Sequence, residues 1–98
     1  MITLELFLAM KDEGTVPDDI PLLLQALLLD AAGDWDSAHA IAQKDASREG
    51  SLVHAYLHRK EGDQGNASYW YHRAGTEMPA FSLAEEWEYI AMKLLEKS

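Results

Sequence analysis

Cysteine is absent from these 98 residues, so the chain can build no disulfide framework, no thiolate metal site and no cysteine nucleophile. That fits a reducing cytosol, and a cytoplasmic protein is the expectation. Positive charge is scarce as well. Eight Lys and Arg stand against 17 Asp and Glu, a formal net charge of −9, which repels a phosphate backbone and removes the counterion-release term behind nucleic-acid binding. Neither nucleic acid nor an anionic membrane is expected as a partner. Long apolar runs are missing too: the leucine-rich run Leu22 to Leu29 covers eight residues, whereas a membrane span needs about 20. Met1-Ile-Thr-Leu-Glu lacks the basic start of a signal peptide, so none is expected. Gly-rich phosphate loops, dinucleotide fingerprints and a Ser-His-Asp order are also lacking. The chain is therefore expected to be no enzyme and to need no cofactor.

What it does have is 48% hydrophobic and 26% charged residues, the composition of an ordinary globular protein. A chain this short makes one domain, residues 1–98, and buries about 60% of its unfolded surface, so nearly every apolar side chain is needed for a single core. Leu4, Phe7, Leu8 and Lys11 fall at i, i+3, i+4 and i+7, which predicts a helix from Thr3 to about Asp12, capped by Thr3 and ended by Gly14. Pro21 suits the first position of a second helix. Its run from Leu22 to Leu29, interrupted only by Gln25, is apolar on nearly all sides and must be covered by the rest of the fold or by another copy of the chain. A homodimer through this helix is one expectation.

A third helix carries Trp35, Ala38, Ile41 and Ala42 behind a cap at Asp34 or Asp36. A fourth, capped by Ser47 or Ser51, runs to Glu61 with Val53, Tyr56, Leu57 and the stem of Lys60 facing inward. Asp63 or Asn66 caps a fifth, with Ala67, Trp70, Tyr71 and Ala74 on one face and Gly75 as its stop. Ser82-Leu-Ala-Glu85 is a capping box for a last helix with Leu83, Trp87, Ile90, Ala91, Leu94 and Leu95 on one face. Six helices and no convincing strand predict an all-α fold.

A shift of 29 residues aligns Ala26 with Ala55, Leu28 with Leu57, Gly33 with Gly62, Asp34 with Asp63 and Ala38 with Ala67. These matches fall at the packing, turn and cap positions where an αα-hairpin is constrained, so the chain reads as two tandem hairpins between an N-terminal and a C-terminal capping helix. The pattern resembles a tetratricopeptide repeat: Gly62, Ala67, Tyr71, Ala74 and Pro79 stand at that family's turn glycine, small packing residues, aromatic and terminal proline, and the first copy matches at Gly33, Trp35 and Ala38. The chain departs from the family at Ser51, His54 and His58, where aromatic or leucine residues are usual, and at Asp45 and Gly50, where alanine and proline are expected. The segments around His54–Asp63 and Tyr69–Gly75 are also similar to a group of small bacterial proteins, a likeness that brings no activity with it. The resemblance implies an interaction scaffold with a protein or peptide partner.

Two groups of residues carry possible site chemistry. His54, His58 and Glu61 share a helix face, and with His72 from the next helix they offer a ligand set for a zinc-like metal, which as the alternative function makes the chain a small metal-binding or enzymatic accessory protein using His54, His58 and His72; against it, the histidines fill the seam between helices and no metal is held. Half of the chain's Lys, Arg and His also falls between His54 and Arg73. His54, His58, Arg59, His72 and Arg73 beside Tyr69 form a candidate binding patch for a carboxylate or an acidic peptide. The competing reading is intramolecular, with the acidic C-terminal helix of Glu85, Glu86 and Glu88 docked on the same cations.

Overall fold

Side-chain caps set most helix boundaries in the computed structural model, which describes residues 2–97. Thr3 accepts from the Leu6 amide and starts α1, Leu4–Glu13, which Gly14 ends in the left-handed region. α2, Leu22–Ala31, follows Pro21. α3, Trp35–Gln43, is capped by Asp34, and α4, Arg48–Glu61, by Ser47. α5, Gln64–Arg73, is capped by Asp63, while α6, Leu83–Lys97, opens on the reciprocal Ser82–Glu85 box. Of the alternatives left open by sequence, Asp36 lies inside α3, Ser51 is buried inside α4, and Asn66 is the residue whose amide Asp63 caps. No strand occurs among the described residues. The fold is all-α.

The two inner turns repeat one geometry. Gly33 at φ 92° and Gly62 at φ 89° take the left-handed conformation that a Cβ penalises. The next amides, of Asp34 and Asp63, reach back to the carbonyls of Leu29 and His58 at 2.8 and 2.9 Å, which closes a Schellman turn at each site. Each aspartate then caps its following helix, through the amides of Ser37 and Asn66. α2 with α3 and α4 with α5 are therefore hairpins related by the 29-residue shift. Ala26, Ala38, Ala55 and Ala67, the small residues of the repeat, are fully buried, so backbones approach closely where they meet.

The terminal helices close the pair from one side. Phe7 of α1 stacks on Trp87 of α6 with centroids 5.5 Å apart, and the Trp87 indole donates to the Leu27 carbonyl at 2.9 Å. α2 is covered by α1, α3, α4 and α6 within the one chain, leaving Leu22 as its strongly exposed leucine. α4, with the more polar sequence, is enclosed further: Gly50 to His58 are buried without interruption. Gly50 explains its own departure from the repeat pattern, because a Cβ there would stand 2.3 Å from the Asp45 carbonyl oxygen.

Candidate functional site

Helical spacing of four residues brings a cluster of histidines together at the junction of the two hairpins. Trp35 and His39 lie one turn apart on α3, and His54 and His58 one turn apart on α4. Trp35 stacks on His39 with centroids 4.8 Å apart, and Trp70 of α5 stacks on His54 at 4.0 Å. His39 stands edge-on to His54 at 4.6 Å and to His58 at 5.2 Å. Three imidazoles are thus held between two indoles. One ring nitrogen from each of His39, His54 and His58 lies within 4.8 Å of the others.

The third histidine is not the one expected from sequence. His72 is exposed on α5, beside a cleft lined by Ser68, Tyr71 and Thr76. His39 takes its place because α3, and not the outer face of α5, packs across the His54–His58 face of α4. The available signal was Ala38: a tight packing residue puts its neighbour at the edge of a helix–helix seam.

Burial dominates the electrostatics of this cluster. It pushes the His54 imidazole down to about 4, with further lowering by His39 and His58. His39 is lowered mainly by burial and next by His58, against the opposing pull of Glu61 and Asp36. His58 Nδ1 lies 2.6 Å from Glu61 Oε2. A carboxylate only accepts, so Nδ1 donates and the lone pair of a neutral ring sits on Nε2. His54 Nδ1 is buried and finds no hydrogen-bond partner among the described residues.

Two buried carboxylates tie α4 to its other neighbours. Asp30 of α2 accepts from Lys60 Nζ at 2.9 Å and from the Tyr56 hydroxyl at 3.1 Å. Glu86 of α6, 1% exposed, accepts from Arg59 Nη1 at 2.8 Å and from the Tyr71 hydroxyl at 2.6 Å. Arg59 also donates to the Phe81 carbonyl. The Glu86 hydrogen bond raises Arg59, and burial pushes both tyrosine hydroxyls upward. Each carboxylate is therefore paired with a cation of α4 and with a tyrosine.

The six residues singled out as a binding patch divide among three places. His54 and His58 are inside the histidine cluster, Arg59 is engaged with Glu86, and Tyr69, His72 and Arg73 line the outer face of α5. There Arg73 donates to the Tyr69 hydroxyl at 3.1 Å and lies over the Trp70 ring, 5.4 Å from its centroid. A different surface is apolar: Phe81, Tyr89 and Met92 border one shallow depression together with Glu85 and Glu88. Periodicity on α6 places Tyr89 and Met92 off the buried stripe, but only the fold brings Phe81 beside them. No helix among the described residues is long and apolar enough to cross a membrane. No protein-family model, curated protein or solved structure matches the chain.

Proposed function

We propose that this chain is a non-enzymatic interaction module built on two tetratricopeptide-like hairpins, and that it docks a partner protein on the ledge of Phe81, Tyr89 and Met92. The observation that carries this reading is that three exposed large apolar side chains, at 39%, 46% and 46%, border one depression, a cluster of the kind that marks an interaction surface rather than single scattered residues. Phe81 and Tyr89 touch, with centroids 5.9 Å apart, so the surface is contiguous.

The rim sets the partner's chemistry. Glu85 and Glu88 flank the ledge, and the chain carries a formal charge of −9, which favours an amphipathic segment presenting an apolar face beside Lys or Arg. Lys93 Nζ already lies 5.2 Å from the Tyr89 ring centroid, a cation–π position that a partner's cation can take over. Self-association through Leu22–Leu29 is not part of this proposal, because four neighbouring helices of the same chain cover that helix.

Affinity capture from the native host tests it, with wild type, Tyr89→Glu/Met92→Glu and Arg73→Glu run in parallel. A basic partner that is held by wild type and Arg73→Glu but lost from the ledge variant supports the proposal. Equal capture by all three proteins refutes it. Both ledge residues are about half-exposed, so the variant keeps its fold, as a melting curve will verify.

A further inference from the structure

We infer that His39, His54 and His58 form a three-histidine site for a divalent transition ion with the ligand preference of zinc, and that Glu61 orients His58 within it. The inference is independent of the ledge and concerns the opposite role, holding the two hairpins together. His39 belongs to the first hairpin and His54 and His58 to the second, so one ion bound to all three would clip α3 to α4.

Geometry comes first. Imidazole nitrogens bind zinc at about 2.0–2.1 Å, which places the ligand atoms of a tetrahedral site roughly 3.3 Å apart. The three nitrogens lie within 4.8 Å of one another, so closing the set asks each ring to move by no more than about an ångström or two. The donor chemistry agrees: three imidazoles and no thiolate suit zinc, copper(II), nickel or cobalt, and not the oxygen-seeking magnesium or calcium.

Two further details are left unexplained by ring packing alone. Stacking between Trp35 and Trp70 accounts for the arrangement of the rings, yet it leaves His54 Nδ1 buried without a partner, a costly state for a polar atom. The 2.6 Å contact from Glu61 to His58 Nδ1 is the carboxylate–histidine arrangement that fixes a ligand's tautomer and raises its basicity at metal centres. His39 is part-exposed, which gives the ion an entry path and leaves its fourth position to water. The second acidic grouping, His58 with Glu61 and Asp63, adds nothing, since the Asp63 carboxylate is occupied by the Asn66 cap.

The test uses the untagged full chain, stripped with a chelator and titrated with Zn²⁺ by calorimetry, with melting curves at each ratio and Co²⁺ absorption as a report of coordination. One ion per chain and a raised melting midpoint are expected. His39→Gln should weaken binding at least 100-fold, Glu61→Gln about 10- to 100-fold, and His72→Gln not at all. Absence of binding at tens of micromolar Zn²⁺ overturns the inference, as does wild-type affinity in His39→Gln or an equal loss in His72→Gln. Should His54→Gln fail to fold, the part-exposed His39→Gln still decides the matter, its melting in chelator showing that the fold is intact.

Discussion

Arg59→Met is the sharpest probe of how α6 is held. The change keeps most of the side chain's apolar stem but removes the 2.8 Å bond to Glu86 and the bond to the Phe81 carbonyl. Glu86, 1% exposed, would then keep only the Tyr71 hydroxyl. Removing one member of a buried ion pair costs about 3–5 kcal/mol, because the remaining charge is desolvated and uncompensated. A domain of this size has about 5–15 kcal/mol in all, and each kcal/mol moves its melting midpoint by about 4–8 °C. The single variant should therefore melt at least about 12 °C below wild type. Arg59→Met/Tyr71→Phe/Glu86→Leu removes the three polar side chains together, leaves only the solvent-reachable Phe81 carbonyl and fills a similar volume, so it should lie within about 1.5 kcal/mol of wild type. Urea titration followed by the fluorescence of the three tryptophans reads both, provided the slopes agree. A cost below about 1 kcal/mol for Arg59→Met, or a triple variant as unstable as the sum of its singles, would refute the reasoning.

Three further outcomes are expected. Gly33→Ala and Gly62→Ala should each cost about 1–2 kcal/mol in urea titration, the strain of a left-handed Cβ, and the two costs should match because the two turns share one geometry; a large difference would break the equivalence of the hairpins. Gly50→Ala should cost about 1–3 kcal/mol through overpacking, since its Cβ would meet the Asp45 carbonyl oxygen at 2.3 Å, and an unchanged urea midpoint would disprove the contact. In chelator, stability should fall with acid: burial, then His39 and His58, lower His54 from 6.5 to about 4, so below pH 6.5 the unfolded chain binds a proton that the folded chain refuses. The contribution is complete above pH 6.5 and is lost as the pH falls toward about 4, at no more than about 1.4 kcal/mol per pH unit; a flat urea midpoint over that range, or one that falls equally in His54→Gln, would contradict it.

Legibility in the sequence followed the range of the interaction. Thr3, Gly14, Gly33, Gly62 and the Ser82–Glu85 box act within one turn of chain, and their roles were readable from spacing alone. The hairpin repeat was readable for the same reason, since its five aligned pairs are turn, cap and packing positions. Contacts that depend on how the hairpins meet were not. The adjacent Ala38 marks a seam but not that His39 will face His54 and His58 across it, and Glu86 looks like one more acid in a run that includes Glu85 and Glu88. The burial of α4 is not legible in its composition, because Ser51, His54 and His58 are polar departures from a family pattern and yet are enclosed.

Helical rotation explains why the basic cluster fails to become a patch. Each residue turns the side-chain direction by about 100°, so His58, Arg59 and Lys60, adjacent in sequence, reach three different neighbours. His58 meets His39 of α3, Arg59 meets Glu86 of α6, and Lys60 meets Asp30 of α2. An acidic peptide arriving at Arg59 would have to displace a carboxylate that is already desolvated and doubly bonded, and it could not gain His58 or Lys60 by doing so. Charge that is dense in sequence is thereby divided among internal partners. The proposed docking ledge therefore draws instead on Phe81, Tyr89 and Met92, three of the exposed large apolar side chains, with Glu85 and Glu88 at its rim.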